Sequence, residues 1–484
     1  MHGFLASSLG VSSAGVTCAA ALTLPPTLPA AAAAPMRLPA PAVSGATQSL
    51  PLVPLTHDRV HGVAPEQGLH RRSVRHFSLV GVIWDNPDTE LRGGVQVRTR
   101  DAAGGTWSGW QDVETHNEDG ADPGTAERTS GRVRGATAPL WVGDSDGVEV
   151  RVRAAAEDAA GPGRDGDAAG RSLLPAGLRL ELVDPGIASG IDPGTEPAPV
   201  GRPAAGPRPA AGPRADSPGT DVPPGEVART DSLGDIAASA VNTDLALTHL
   251  GAAEIPALNR RDTEIELLAL RSGELTQAQS AKPYIGPRPR IVTRHGWGAD
   301  ESLRERGFVY TKKIKAAFVH HSAGGNKYTC SQAPSVIRSI YRYHVKSMGW
   351  RDIGYNFLVD KCGNIYEGRA GGAAKAVMGA HTHGFNSNTM GIAVLGSYAT
   401  TKPASAAVKA IAKLTAWKLG LYGINPRGKT YLTSGGGNLY PKGKNVRLNV
   451  ISGHRDGFAT QCPGQKLYSK LGTARSDAAR YQGR

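Results

Sequence analysis

The sequence predicts two folded parts of different class, a small all-β, sandwich-like domain followed by an α/β domain. Three observations carry that expectation. Residues 76–186 break into short alternating runs separated by Gly, Asp and Pro; from about residue 287 onward, apolar strand-like segments alternate with segments of helical spacing; and a Pro/Ala/Gly-rich stretch lies between the two. A chain of 484 residues has room for two or three domains.

The first 34 residues combine a weakly apolar stretch, helix-breaking prolines and a small-residue end. That is the pattern of an export signal, here without a Lys or Arg ahead of the apolar part. Residues 35–75 are Pro/Ala-rich and polar and read as an extended leader. In residues 76–186, "FSLVGVIWD", "VQVRTRD", "WSGWQDV", "VEVRVRA" and "LRLELVD" have the alternation of half-buried antiparallel strands. Trp84, Trp107, Trp110 and Trp141 lie here, with two uses open to them: stacking on sugar rings or filling a small core. Residues 187–286 form the linker, semi-extended where Pro, Ala and Gly dominate, with a short helix expected at "EIELLALRSGEL".

Residues 287–484 make up the α/β domain. "KAAFVHHS", "YNFLVD" and "TMGIAVLGSY" read as buried strands. "SQAPSVIRSIYRYHVKSM" places apolar residues at 336, 337, 340, 341 and 345 behind Ser331 or Ser335 as caps, and "ASAAVKAIAKLTAWKLG" repeats that spacing up to Gly420. The body of the chain has no long apolar run free of Gly and Pro, so no transmembrane anchor is expected.

The net charge of +13 is unevenly distributed. Gly286 to Arg484 carries 31 Lys and Arg against 8 Asp and Glu, a net +23, while the other 285 residues carry 24 against 34, a net −10. So basic a domain favours polyanionic partners. Nucleic acid is not expected, because no matching motif accompanies the charge and an export signal precedes it; anionic cell-wall polymers fit better.

Loss of the signal removes Cys18 and leaves Cys330, Cys362 and Cys462. Cys330 and Cys362 suit a disulfide closing a loop of about 30 residues, which contributes roughly 3 kcal/mol. The alternative joins them to Cys462 in a Cys-rich zinc site, although no CxxC spacing supports it. Cys462 follows His454 by eight residues. Zinc takes His nitrogen and Cys sulfur, and catalytic zinc sites use three protein ligands with the fourth position open. The tandem His320-His321, ending an apolar strand, is the source of a third ligand.

Taken together, "PRIVTRHGWGADESL", "FVHHSAGG", "YRYHVKSMGWRDIGYNFLVDKCGNIYEGRAGG", "GAHTHGFNSNTMGIAVLGSY" and "GHRDGFATQCPG" resemble the peptidoglycan recognition protein family. They also resemble the related zinc-dependent N-acetylmuramoyl-L-alanine amidases of phage-lysozyme type, in uninterrupted order over about residues 287 to 472. The resemblance implies a mixed central β-sheet flanked by helices and one Zn2+ per amidase domain, held by His320, His454 and Cys462. It implies Tyr355 and Thr460 as catalytic donors beside the metal. His381, His321 and Asn386 fall at substrate-binding positions, His321 with a structural role as its other reading. Glu367 is a candidate acid–base group or the partner of Arg369 in an ion pair. His344 reads as a packed residue, and His295 and His383 as surface or groove-edge residues.

The implied activity is hydrolysis of the amide between the lactyl group of N-acetylmuramic acid and L-alanine of the stem peptide. The implied enzyme is a secreted, cell-wall-associated monomer whose partner is peptidoglycan, both glycan strand and stem peptide. Family members that only bind peptidoglycan usually lack the cysteine. Retention of Cys462 therefore favours catalysis over the alternative, a binding protein using the same groove.

Overall fold

The alternation of apolar residues does produce strands, but they begin earlier than composition suggests. A computed structural model describes residues 45–55, 65–115, 119–155, 174–187 and 233–484; the expected export signal and the linker from 188 to 232 lie outside them. The N-terminal domain contains β1 (Thr47–Pro51), β2 (Val53–Pro54), β3 (Glu66–Trp84), β4 (Gly93–Asp101), β5 (Gln111–Val113), β6 (Gly135–Ala136), β7 (Leu140–Ala154) and β8 (Arg179–Val183). Their order is β1-β8-β3-β7-β4-β5, with β2 and β6 attached to β3, and every pairing is antiparallel. β1, β2 and the first half of β3 occupy the span expected to be a leader. β1 is held by its ladder to β8, in the register Thr47↔Val183. Its own sequence, "TQSLP", offers few apolar residues, so the strand exists through a partner distant in sequence.

The second half of β3, Phe77 to Trp84, is buried on both faces where only one was expected to be covered. Val80, Val82 and Trp84 belong to the core of the β domain. Leu79 and Ile83 point the other way, into a core shared with Val336, Ile340 and Tyr343 of the α/β domain. Gly81 sits between them, where a Cβ would lie 2.3–2.6 Å from the Tyr343 ring and hydroxyl. The Tyr343 hydroxyl donates to Thr137 O at 3.1 Å, and Ser347 Oγ donates to Glu181 at 2.7 Å, so the shared core is closed by polar contacts. The described residues of the two domains accordingly form one compact unit. Of the four tryptophans, Trp84 and Trp141 are core residues. Trp107 lies under Arg71 at 4.9 Å, and Trp110 under Arg98 and Arg151 at 4.7 and 4.2 Å.

The α/β domain is a mixed seven-stranded sheet. It comprises β9 (Glu254–Ile255), β10 (Ile291–Val292), β11 (Ala316–His321), β12 (Phe357–Val359), β13 (Ile365–Glu367), β14 (Thr389–Val394) and β17 (Ile451–Gly453), in the order β17-β11-β14-β12-β13-β10-β9. A separate hairpin, β15 (Lys429–Thr433) with β16 (Asn445–Asn449), packs Leu432, Val446 and Leu448 on Phe318 and Phe385. Both sheet faces are covered, as a period of two with apolar residues at both parities demands. Val319, Ile392 and Val394 share a core with Val408, Ile411 and Leu414 of helix Ser405–Gly420. Leu358, Ala393 and Leu395 face helix Ala333–Arg342.

The expected linker ends sooner than residue 286. Helices Leu233–Ala240 and Arg260–Arg271, together with β9, belong to the α/β domain, and β9 pairs with β10. Asn259 caps the second helix by accepting from Asp262 N at 3.0 Å. Cys330 and Cys362 form the disulfide, their Cα atoms 6.2 Å apart, tying the start of helix Ala333–Arg342 to the β12–β13 turn. Among the described residues no helix is long and apolar enough to cross a membrane.

Candidate metal centre

Two parallel strands deliver two histidines to one place. β11 and β17 lie side by side with Val319 opposite Gly453. The residue after each pair is His320 on one strand and His454 on the other, so both imidazoles emerge together and their centroids are 4.5 Å apart. A loop returns the third group. Arg455 N donates to Cys462 O at 3.1 Å, and Cys462 N donates to Thr460 Oγ1 at 3.2 Å. This brings Cys462 Sγ to 3.7 Å from His320 Nδ1, with His321 N donating to the sulfur at 3.4 Å. All three side chains are buried, and one ligand atom from each lies within 4.8 Å of the others.

The donor set suits zinc in composition and protonation. Thr382 Oγ1 lies 3.3 Å from His320 Nε2 and 3.0 Å from His381 Nδ1. A hydroxyl that accepts from the first ring holds the proton of His320 on Nε2 and leaves Nδ1 free to bind a metal, the arrangement a metal site requires. Burial, reinforced by repulsion from His320, holds His454 down at about 3 and therefore neutral, the form in which a histidine binds metal. Neither His454 nitrogen has a hydrogen-bond partner among the described residues. Burial pushes the Cys462 thiol well above its usual value, so a nearby cation is what would make it a thiolate.

Tyr355 stands beside this cluster, with its ring 5.5 Å from that of His320. Burial, followed by the neighbouring Asp119 carboxylate, raises its phenol well above the ordinary range, so it remains a proton donor. Thr460 lies two residues ahead of Cys462 on the ligand loop. Its hydroxyl accepts from Cys462 N and shapes the ligand loop. His321 is buried in two polar contacts: Nδ1 accepts from Tyr398 N at 3.3 Å and Nε2 lies 3.4 Å from Glu114. His381 and Asn386 have no exposed surface and so do not line an open groove. His381 lies over Gly391, where a Cβ would approach the ring to 2.4 Å. Asn386 Oδ1 accepts from His381 N at 2.7 Å and Thr382 N at 3.1 Å.

Glu367 and Arg369 are not partners. The Glu367 carboxylate takes the Asn242 amide at 2.9 and 3.0 Å, while Arg369 pairs with Glu127 at 2.8 Å. His344 is packed and buried as expected, and His383 borders a groove with Trp84, Trp350 and Phe458.

Sequence reasoning missed two residues here. Thr382 carries no motif of its own. Asp119 arrives from the β domain: its Oδ1 lies 3.1 Å from His320 Nδ1 and 3.4 Å from His454 Nδ1, and its Oδ2 accepts from Tyr355. Burial alone would raise the Asp119 carboxyl, but His320, His454 and the Tyr355 hydroxyl outweigh it and hold the group below the usual carboxylate range. The signal available was the acidic composition of "VETHNEDGADPGTAER" in a chain whose other domain is strongly basic.

A family model described as N-acetylmuramoyl-L-alanine amidase matches residues 310–465, and one described as Rv3811 N-terminal galactose-binding domain-like matches residues 31–170. Peptidoglycan-recognition protein SC2 of Drosophila simulans is 31% identical over 183 residues, which is 38% of this chain and 85% of that protein. The N-acetylmuramoyl-L-alanine amidase of Homo sapiens is 30% identical over 213 residues, 43% of this chain and 31% of that protein. Among solved structures, wild-type Drosophila PGRP-LB aligns with a TM-score of 0.30 and 25% identity, covering 38% of this chain and 92% of that one.

Proposed function

We infer function from family: through its α/β domain the chain belongs to the family of peptidoglycan-recognition proteins and N-acetylmuramoyl-L-alanine amidases. Its role is thus peptidoglycan hydrolysis or recognition. We propose hydrolysis, by an exported zinc-dependent amidase that cuts between the lactyl group of N-acetylmuramic acid and L-alanine. The observation that carries this choice is the complete, buried His320, His454 and Cys462 set beside a protonated Tyr355. Bound there, zinc supplies Lewis acidity that brings the pKa of a water toward about 7 and polarises a carbonyl.

The chain's own residues supply the rest. Thr382 holds His320 in the ligand tautomer, and the 454–462 loop, shaped by Thr460, holds Cys462. Tyr355 donates to the oxygen that gains charge as the amide carbon becomes tetrahedral; one such donor is typically worth about 3 kcal/mol. A Cys330–Cys362 disulfide is consistent with an oxidising compartment outside the cytoplasm. The +23 of residues 286–484 suits an anionic wall, with peptidoglycan as the partner and a monomer as the working form.

The test is zinc content and release of new L-alanine amino termini from purified peptidoglycan by the full chain. The proposal expects about one zinc per chain and release that disappears in Cys462→Ser. Zinc bound without release, in the wild type and in the Asp119→Ala variant described below, would turn the conclusion to recognition alone.

A further inference from the structure

We propose that the β domain carries a built-in plug for the metal centre, with Asp119 as its tip and as a fourth ligand in place of the water. This inference rests on the zinc-hydrolase reading. Ligand bonds of about 2.0–2.1 Å in tetrahedral geometry give nitrogen–oxygen edges of about 3.3 Å, and a zinc–sulfur bond of about 2.3 Å gives nitrogen–sulfur edges of about 3.6 Å. Asp119 Oδ1 stands 3.1 Å from His320 Nδ1 and 3.4 Å from His454 Nδ1, and His320 Nδ1 stands 3.7 Å from Cys462 Sγ. Neither Asp119 Oδ1 nor His454 Nδ1 has a hydrogen-bond partner among the described residues. Buried acceptors this close are held together by a shared proton or by a cation, and the zinc reading assigns the cation. The Asp119 side chain is only 5% exposed, so the position it takes is closed to solvent.

The tip is anchored on both sides. Asp122 Oδ1 accepts from Gly384 N at 2.8 Å and from the Asn386 side chain at 2.7 Å, and Gly120 O accepts from the same amide at 2.7 Å. Glu127 pairs with Arg369 at 2.8 and 2.9 Å and accepts from Arg351 N at 3.1 Å. Glu114 reaches His321 at 3.4 Å. Four carboxylates of the acidic part of the chain thus occupy polar groups of the basic domain around the metal centre. These contacts are why Asn386 and His321 are shut away from a substrate here. A metal site with four protein ligands is closed, whereas a catalytic one keeps a position open. Hydrolysis therefore requires the acidic segment to leave, and an anionic wall polymer competing for the same basic groups is the chemistry suited to displace it.

The experiment uses the full chain as wild type, Asp119→Ala and Glu127→Gln, the last loosening an anchor that is not a metal ligand. Zinc affinity is read by chelator competition, and hydrolysis of purified peptidoglycan is read at saturating zinc. Loss of a ligand predicts zinc held about tenfold or more weakly in Asp119→Ala, with hydrolysis at least several-fold faster than wild type. Glu127→Gln is expected to speed hydrolysis with a smaller change in zinc affinity. Slower hydrolysis in Asp119→Ala at unchanged zinc affinity would overturn the plug and make Asp119 an acid–base group. Both quantities unchanged in both variants would overturn it as well. Absence of zinc from all three proteins would overturn the hydrolase reading itself.

Discussion

One hydroxyl serves two imidazoles: Thr382 Oγ1 lies 3.3 Å from His320 Nε2 and 3.0 Å from His381 Nδ1. Accepting from the first while donating to the second holds His320 as the tautomer whose Nδ1 faces Cys462, the form a metal requires. Thr382→Val keeps the shape and removes the hydroxyl. Zinc affinity should fall by about 10- to 100-fold, measured by chelator competition, with the far-UV circular dichroism unchanged. Unaltered affinity would show that the ring is oriented by packing alone.

Tyr355 is predicted to act on the reaction and not on the metal. In Tyr355→Phe, zinc content should match wild type while hydrolysis per bound zinc drops about 10²- to 10³-fold. The Asp119→Ala background isolates this effect, because there the hydroxyl has no plug to hold. A loss of zinc equal to the loss of rate would contradict the donor role.

The interface between the domains depends on the missing side chain of Gly81. A Cβ there meets the Tyr343 ring and hydroxyl at 2.3–2.6 Å, and Tyr343 is fully buried. Gly81→Ala should destabilise the chain by about 1–3 kcal/mol in urea unfolding. Adding Tyr343→Ala should recover part of that loss, giving a favourable coupling in the double-mutant cycle. Strict additivity would place the strain elsewhere.

Acid should weaken the fold through His344. Burial, only partly opposed by Asp119, lowers its pKa to about 3 from 6.5, and its Nδ1 accepts from Gly354 N at 3.1 Å. Between those two values the unfolded chain binds a proton that the folded one refuses. Stability from this residue is therefore complete above pH 6.5 and declines as pH falls toward 3, by up to about 1.4 kcal/mol per pH unit. In His344→Gln the urea midpoint should depend less steeply on pH across that window. Equal slopes in the two proteins would contradict the assignment.

The parts of this protein legible in the sequence are those whose signals are local. The helix Ala333–Arg342, the apolar strand ending in His320-His321 and the His454–Cys462 loop each lie within a short stretch of sequence, and Cys330–Cys362 is legible from the few cysteines present. What escaped is held by distant partners. β1 exists through β8, β9 through β10, and Glu367 and Arg369, two residues apart, separate to reach Asn242 and Glu127. Asp119 is 236 residues from Tyr355, and no periodicity announces a contact of that range. The run "FSLVGVIW" reads as a half-buried strand, although its apolar residues stand at both parities; the second cover comes from the α/β domain, a partner distant in sequence.

The central claim is that His320, His454 and Cys462 hold a zinc on which peptidoglycan cleavage depends. The most direct measurement is metal analysis of the purified full chain, wild type beside Cys462→Ser, paired with release of L-alanine amino termini from peptidoglycan. The account predicts about one zinc per wild-type chain with measurable release, and loss of both in the variant at unchanged fold. A wild-type chain without zinc, or equal release from both proteins, would contradict it.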